Sequence, residues 1–278
     1  MVVGAAADAG RIEGLLRWEL LQDAAVLARC RRELSTAGIL VVKDFATADG
    51  LRRLRSEVRA APCNEAANRF TAYQDQGDAH YPADHPRNHR FESTVGFVGR
   101  QTLERTPERL GVAIYQDPRE RLLTFLSGVV ERQLHRSVDE NGSVYSYLAM
   151  PGHDPPWHFD ESHWTAIVYL QNGAAGGAFE FVPLSRPSQS KDDERGHEIV
   201  REVLMDGDLS RVHRIAAEPG SLVFFAGCHA LHRAAPVLDS TARIGLVFTF
   251  GESDGFANSD ETKANNEWSV DDAGRSKL

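Results

Sequence analysis

The sequence predicts an α+β fold in which helices come first and a strand-rich body follows. Helical periodicity dominates residues 12–136, whereas residues 144–250 divide into short apolar strands separated by turns. Helices and strands that are segregated along a chain are typical of α+β proteins, and a series of short strands is typical of a β-sandwich or barrel. A length of 278 residues suits one domain, so we take residues 1–278 as a single unit.

The helical part begins with two amphipathic helices on either side of a short strand. Leu and Ala recur at three- and four-residue steps from residue 12 to residue 36, and Gly38 ends this helix. The apolar residues 39–42 predict a strand, and the second helix follows Asp49. Residues 104–136 return to helical spacing, which predicts a further helix with one buried face.

Three polar segments interrupt this pattern. Residues 62–92 are rich in Asn, Asp, His, Pro and aromatic side chains, which predicts a long loop. Long loops in compact domains are usually functional or disordered, and the aromatic and histidine content favours an ordered cover over an active site. Residues 187–211 are expected to form a surface insertion. Residues 251–278 form a polar tail or lid, in which Trp268 is either an anchor or a simple docking contact.

Strand alternation orients one arginine in the second half of the chain. The last predicted strand divides into two faces, one with Ile244, Leu246, Phe248 and Phe250 and the other with Arg243, Gly245, Val247 and Thr249. If the apolar face packs on the core, Arg243 faces the mouth of the barrel. A guanidinium in that place can bind a carboxylate through two parallel hydrogen bonds.

The overall composition excludes several classes of function. A net charge of −9 disfavours general binding to nucleic acid or to acidic membranes, since both need patches of Lys and Arg. No apolar run approaches the roughly 20 residues that a membrane helix needs. The three cysteines are odd in number and widely spaced, which favours a reducing compartment. Because the N-terminus also lacks the features of a secretory signal, we expect a cytoplasmic protein.

A His-x-Asp tripeptide lies in the strand-rich half of the chain, before a predicted strand at residues 164–170. His158 and Asp160 are two residues apart, so on an extended segment both side chains point to the same side. With His232 from a neighbouring strand they would place two imidazoles and one carboxylate on one face of a metal, as in non-heme Fe(II) oxygenases. The alternative is an ordinary hydrogen-bonded pair in a surface turn. His229 competes for the third place, but His232 lies nearer the hairpin that leads to Arg243.

The order of these residues resembles a known superfamily. His158-x-Asp160, then His232, then Arg243 eleven residues later is similar to the Fe(II)/2-oxoglutarate-dependent dioxygenases, whose fold is a double-stranded β-helix, or jelly roll. The resemblance covers roughly residues 144–250. Several segments more closely resemble the bacterial hydroxylases and radical halogenases of free amino acids, namely Ala83-Asp84-His85-Pro86-Arg87, Trp157-His158-Phe159-Asp160, residues 176–183 and Leu231-His232-Arg233.

This resemblance implies a cofactor set and a role for each matching residue. Fe(II) would be bound by His158, Asp160 and His232, and O2 would be the second cosubstrate beside 2-oxoglutarate. Arg243 would pair with the distal carboxylate of 2-oxoglutarate. Tyr145 and Tyr147 share one face of a predicted strand, so Tyr147 is a candidate to assist the cosubstrate through its hydroxyl, with packing in the core as the alternative. Because halogenating members carry a small residue in place of the carboxylate ligand, the presence of Asp160 makes hydroxylation the expected reaction.

The substrate is expected to be a small molecule, either a free amino acid or a close derivative. Residues that could contact it are His85, Arg87, Trp157, His163, Arg233 and Trp268, although solvation or packing explains each of them equally well. We expect no nucleic-acid or membrane partner, and a homodimer stays open. Other outcomes are also open: the same iron chemistry could lead to desaturation, cyclisation or epimerisation in natural-product biosynthesis. A cupin-type metalloenzyme that uses no 2-oxoglutarate and a non-catalytic jelly-roll binding module are further alternatives.

Overall fold

The computed structural model describes residues 10–187, 193–215 and 217–266. The helices of this part are α1 (Trp18–Gln22), α2 (Ala24–Ala37), α3 (Ala48–Ala60), α4 (Arg100–Glu104), α5 (Leu110–Tyr115), α6 (Arg121–Val130), α7 (Glu194–Leu204) and α8 (Asp260–Asn266), with a 3₁₀ turn at Pro86–Asn88. The strands are β1 (Ile39–Val42), β2 (Asn64–Thr71), β3 (Arg90–Val98), β4 (His135–Arg136), β5 (Val144–Ala149), β6 (Trp164–Gln171), β7 (Phe179–Val182), β8 (His213–Ile215), β9 (Leu222–Phe225), β10 (Leu231–Ala234) and β11 (Arg243–Gly251). None of these helices is long and apolar enough to cross a membrane.

Two antiparallel sheets form the body of the protein. The larger sheet has the strand order β1-β9-β6-β11-β5-β3-β2, with β4 paired to β11, and the smaller sheet has the order β10-β7-β8. A cluster of apolar side chains between the sheets includes Ile167, Phe179, Val223 and Val247. This arrangement of sheets confirms the predicted α+β jelly roll.

The helices cover the outer face of the larger sheet. The cluster there contains the even-numbered residues of β11, Ile244, Leu246, Phe248 and Phe250, together with the buried faces of α3, α5 and α6. Gly245 and Val247, on the other face of β11, lie against the cavity between the sheets. The predicted orientation of this strand is therefore correct, because the two clusters bury opposite faces of the same alternating sequence.

Two predicted helices are interrupted in the structure. The segment 12–36 breaks at Asp23, whose side chain accepts hydrogen bonds from the backbone N–H groups of Ala25 and Val26 and so caps α2. The segment 104–136 is broken at Pro107, between α4 and α5, and at Pro118, between α5 and α6, and it ends in the short strand β4. Proline removes a backbone donor and disfavours helical geometry in the residue before it, which accounts for both breaks.

The polar segments contain more regular structure than their composition predicts. The ends of segment 62–92 form β2 and β3, which pair along their length from Asn64–Phe97 to Thr71–Arg90, so only the residues between them form the loop. Consequently residues 12–136 are less helical than predicted. The expected insertion at 187–211 includes α7, whose apolar face packs on the outer side of the smaller sheet. The tail begins with α8, and Trp268 lies outside the described residues.

Candidate metal centre

Three side chains meet at the mouth of the cavity between the two sheets. Nε2 of His158 and Nε2 of His232 each lie 3.5 Å from Oδ1 of Asp160. One donor atom from each residue lies within 4.8 Å of the other two. This is the one group of three or more such side chains found among the described residues. Two neutral imidazoles and one carboxylate are a suitable donor set for a divalent transition metal.

Backbone pairing brings the two histidines together. The N–H of each residue donates to the carbonyl oxygen of the other at 2.9 Å, so His158 forms a bridge to His232 on β10. The Nδ1 atoms lie 3.0 Å from the carbonyl oxygen of Pro156 and 2.8 Å from that of Ala230. A carbonyl only accepts, so each Nδ1 carries the proton and each Nε2 keeps its lone pair for a metal. His229 is not part of this group: its Nδ1 lies 2.7 Å from the carbonyl oxygen of Arg186.

Asp160 is held in place by its own contacts. Its backbone N–H donates to the carbonyl oxygen of Gly227 at 3.1 Å, and Oδ2 accepts a hydrogen bond from Oγ1 of Thr165 at 2.5 Å. Burial raises the pKa of Asp160, but the positive charge and the Nε2–H hydrogen bonds that His232 and His158 provide when their rings are protonated outweigh it and leave the pKa well below its usual range. A bound metal would take the place of those Nε2 protons. The carboxylate is therefore ionised and can act as a metal ligand.

The walls of the cavity come from both sheets. The described lining residues are Tyr145, Tyr147, His158, Asp160, Thr165, Ile167, Phe179, His232, Ala234, Arg243, Gly245 and Val247. Five of these twelve residues are wholly apolar, and the rings of two tyrosines add apolar surface, while seven residues in all carry a polar group. A concave, largely apolar site with a few convergent polar groups is typical of a small-molecule site.

Arg243 is the arginine among the described residues that line the cavity. It is 3 % exposed, and its Nη2 donates to the hydroxyl of Tyr169 at 2.9 Å. Its Nε is buried and has no hydrogen-bond partner among the described residues. A buried guanidinium with an unused N–H is costly unless a ligand satisfies it. The arrangement fits the carboxylate of a bound anion.

Two tyrosines of β5 line the cavity beside these groups. Tyr145 and Tyr147 alternate with Ser146, which faces the other way and donates to the carbonyl oxygen of Gly245 at 2.9 Å. Burial raises the pKa of Tyr147 above its ordinary value, against the opposing charge of Arg243. Burial also raises the pKa of Tyr145, and the negative charge of Asp160 adds to this shift. Both phenols are therefore neutral donors at physiological pH.

The structure places two predicted substrate residues behind the smaller sheet. Trp157 is buried in the cluster beneath α7, and the guanidinium of Arg233 lies 4.6 Å from the centre of its ring. Nε of Arg233 donates at 2.8 Å to Oε2 of Glu180, whose other oxygen accepts from Nε of Arg214 at 2.8 Å. Neither Trp157 nor Arg233 is among the described lining residues, because strand alternation turns both away from His158 and His232.

Three other predicted substrate residues, His85, Arg87 and His163, also lie outside the described cavity lining. The ring of His85 stacks on Tyr81 at 4.2 Å and packs edge-on against His197 at 4.6 Å. Arg87 is buried, pairs with Asp75 at 2.5 Å, and lies over the ring of Tyr73. His163 packs against Phe256, with ring centres 5.5 Å apart.

Sequence reasoning missed three residues that the fold brings to the centre. Thr165 and Tyr169 lie on one face of β6, and Gly227 lies in the turn before β10. Strand alternation could have grouped Thr165 with Tyr169. However, seven of the eight residues of β6 are buried, so burial alone did not tell which face lines the cavity. Nothing in the sequence around Gly227 pointed to a contact with Asp160.

Comparison with a family model gives a match over most of the chain. The model described as Halogenase D matches residues 22–269. No curated protein matches the sequence.

Solved structures share the fold at low sequence identity. AviO1 from Streptomyces viridochromogenes Tue57 is 16% identical over 84% of this chain and 97% of its own, with a TM-score of 0.55. The non-heme alpha-ketoglutarate-dependent epimerase SnoN from nogalamycin biosynthesis is 16% identical over 82% of this chain and 84% of its own, with a TM-score of 0.55. HygX from Streptomyces hygroscopicus, solved with nickel, 2-oxoglutarate and hygromycin B, is 15% identical over 80% and 86% of the two chains, with a TM-score of 0.54.

Proposed function

The chain belongs to the Halogenase D family of Fe(II)/2-oxoglutarate-dependent oxygenases, and from this premise we propose that it hydroxylates an unactivated C–H bond of a free amino acid or a close derivative. The enzyme uses Fe(II), 2-oxoglutarate and O2, and it acts on a small molecule. The reaction outcome, the substrate class and the roles of individual residues are our proposal.

Asp160 carries the choice of hydroxylation over halogenation. Its carboxylate lies where a third ligand is needed, with Oδ1 at equal distances of 3.5 Å from Nε2 of His158 and Nε2 of His232. The halogenating members of the resembling family have a small residue at this place. An ionised carboxylate here takes the position that a halide would need, so hydroxylation is the outcome that this donor set favours.

Five polar side chains of the cavity have proposed tasks toward the metal and the cosubstrate. His158, Asp160 and His232 would hold Fe(II), which together with 2-oxoglutarate and O2 supplies the oxidising chemistry that breaks a C–H bond. Arg243 would bind the distal carboxylate of 2-oxoglutarate, since its buried Nε has no partner among the described residues. Tyr147, from the adjacent strand, would donate a hydrogen bond to the cosubstrate.

The apolar side chains would keep water away from the reacting groups. Ile167, Phe179 and Val247 form the wall beside the three proposed ligands. All three are less than 9% exposed. An apolar wall that excludes water strengthens the electrostatic contacts of the cavity and protects reactive species from side reactions.

Formation of succinate tests the proposal. The protein is incubated with Fe(II), 2-oxoglutarate and a panel of free amino acids. Succinate is quantified, and the masses of the products are measured by mass spectrometry. We expect one amino acid to stimulate succinate release and to gain one oxygen atom. The Asp160→Ala variant should lose this turnover. If no amino acid stimulates release, the proposed substrate class is wrong, and if Asp160→Ala keeps wild-type activity, the proposed ligand is wrong.

A second outcome of the same chemistry is supported by the fold of SnoN, which is an epimerase. Desaturation and ring closure would remove two hydrogen atoms from the substrate, and epimerisation would leave its mass unchanged. The mass of the product and its chiral chromatography distinguish these outcomes from hydroxylation in the same assay.

A further inference from the structure

We propose that Thr165 is a positioning residue that holds the Asp160 carboxylate so that a single oxygen faces the metal. This inference rests on the proposed metal site. It concerns the two oxygens of one side chain, which have different surroundings. Oδ1 faces the two imidazoles at 3.5 Å, whereas Oδ2 accepts a hydrogen bond from Oγ1 of Thr165 at 2.5 Å.

The direction of the hydrogen bonds follows from the chemistry of the groups. An ionised carboxylate can only accept, so the single proton of the Thr165 hydroxyl is donated to Asp160. Oγ of Ser162 lies 3.0 Å from Oγ1 of Thr165. Since the proton of Thr165 is already used, Ser162 must be the donor in this second bond. The result is a short chain in which Ser162 orients Thr165 and Thr165 orients Asp160.

Burial strengthens these two hydrogen bonds. Ser162 and Thr165 are each 2% exposed, and Asp160 is 9% exposed. Without competing water, a hydrogen bond to a charged group is stronger, and the loss of one partner leaves an unsatisfied charge. The orientation of the carboxylate therefore depends on the hydroxyl of Thr165 and does not depend on solvent.

Gly227 closes the other side of the carboxylate. A Cβ atom on Gly227 would overlap Oδ2 of Asp160 and would lie 2.7 Å from Oγ1 of Thr165. The Asp160 carboxylate therefore occupies the space that a side chain at position 227 would need. Thr165 and Gly227 together leave it little room to turn.

The hydrogen bond from Thr165 limits how many oxygens of Asp160 can bind a metal. A carboxylate can bind a metal through one oxygen or through both. While Oδ2 is occupied by Thr165, Oδ1 alone is presented, and the remaining positions on the metal stay open for the cosubstrates. Loss of the hydroxyl would free the carboxylate to turn, and the affinity for the metal would fall.

Binding of Co(II), an analogue of Fe(II), tests this role without any turnover. Its affinity is measured by calorimetric titration of wild type and of four variants: Thr165→Ala, Thr165→Val, Thr165→Ser and Ser146→Ala. Ser146 is a matched control, because it is also a buried hydroxyl of the same sheet but points away from the cavity. Circular dichroism of the metal-free proteins establishes which variants are folded.

The expected result is a loss that follows the hydroxyl. Thr165→Ala and Thr165→Val should weaken Co(II) binding by about 10- to 100-fold, the usual effect of removing a partner of a metal ligand. Thr165→Ser and Ser146→Ala should bind like wild type. Wild-type affinity in folded Thr165→Ala overturns the inference, and so does a loss in Thr165→Ser equal to that in Thr165→Ala. If Thr165→Val does not fold, Thr165→Ala alone decides.

Two further variants separate this inference from the proposed metal site. Asp160→Ala and His158→Ala should lose Co(II) binding. If both bind Co(II) like wild type, the metal site is wrong, and the role of Thr165 fails with it. If both lose binding while the folded Thr165→Ala variant keeps it, the metal site stands and only the role of Thr165 is overturned.

Discussion

Nη2 of Arg243 donates a hydrogen bond to the hydroxyl of Tyr169 at 2.9 Å. Both residues are at most 3% exposed, and they come from adjacent strands, β11 and β6. The guanidinium also lies 4.9 Å from the centre of the Tyr169 ring. Tyr169 thus holds one nitrogen of Arg243, while Nε has no partner among the described residues. This leaves a preorientated guanidinium with an unused donor.

Substitution of Arg243 is expected to weaken binding of 2-oxoglutarate. A hydrogen bond to a charged group contributes roughly 1.5–3 kcal/mol, so Arg243→Ala should raise the KM for 2-oxoglutarate by about 10- to 100-fold. Arg243→Lys should restore little, because an ammonium cannot form two parallel hydrogen bonds. Tyr169→Phe should raise the KM by a smaller factor. Steady-state kinetics over a range of 2-oxoglutarate concentrations measure all three, and an unchanged KM in Arg243→Ala would favour a metalloenzyme that does not use this cosubstrate.

A methyl group at Gly227 is expected to displace the Asp160 carboxylate. The added Cβ would overlap Oδ2 of Asp160, and overpacking of this kind costs about 1–3 kcal/mol. Gly227→Ala should therefore lower both metal affinity and thermal stability. Gly128→Ala is the matched control, since its Cβ would meet Leu27 at 3.4 Å, an ordinary contact on helix α6. Calorimetric metal titration and thermal unfolding compare the two variants. Equal behaviour of both would show that the close approach at Gly227 is unimportant.

Glu180 is expected to matter for stability alone. Its buried carboxylate accepts hydrogen bonds from Arg233 and Arg214 on the side of β7 that faces away from the cavity. The two arginine side chains are partly exposed and can be solvated when their partner is neutral, so Glu180→Gln should lower the free energy of unfolding by about 1–3 kcal/mol, the usual effect of losing a hydrogen bond between charged groups. The folded variant should keep the wild-type KM for the substrate. Chemical denaturation and kinetics test this, and a raised substrate KM in Arg233→Gln would instead support the sequence prediction that Arg233 binds substrate.

Protonation of His197 is expected to destabilise the fold in mild acid. Burial, with the nearby charges of His85 and Arg87, lowers the pKa of His197 to about 4. The unfolded chain, with a histidine pKa of about 6.5, then binds more protons than the folded protein between these two values. The free energy of unfolding should thus be unaffected by this group above pH 6.5 and fall as the pH drops toward 4, by at most about 1.4 kcal/mol per pH unit.

A non-titrating ring isolates this effect. His197→Phe keeps an aromatic ring against Tyr73, Tyr81 and His85 but cannot be protonated. Denaturant unfolding of both proteins from pH 7.5 to pH 4 gives the difference between their curves. The wild type should lose stability relative to the variant as the pH falls, and parallel curves would contradict the lowered pKa of His197.

Much of the fold and part of the site could be predicted from local patterns. Alternation in β11 correctly separated Arg243 from its apolar neighbours, because that strand buries its two faces in different clusters. Period-two spacing put His158 and Asp160 on one side of an extended segment, as the structure has them. The polar strands β2 and β3 were missed, since their pairing compensates for a composition that predicts a loop.

By itself, the sequence determined which chemical groups are available and which side of a strand they occupy, because alternation depends on neighbours along the chain. Only the tertiary structure decided which distant groups meet. Thr165 donates to Asp160 across a turn, Gly227 approaches the same carboxylate from 67 residues away, and Tyr169 orients Arg243 from another strand. Likewise, Trp157 and Arg233 lie behind the smaller sheet because their neighbours His158 and His232 point into the cavity. Such contacts depend on which strands pair within a sheet and on how the two sheets pack, and short-range sequence patterns carry no record of either.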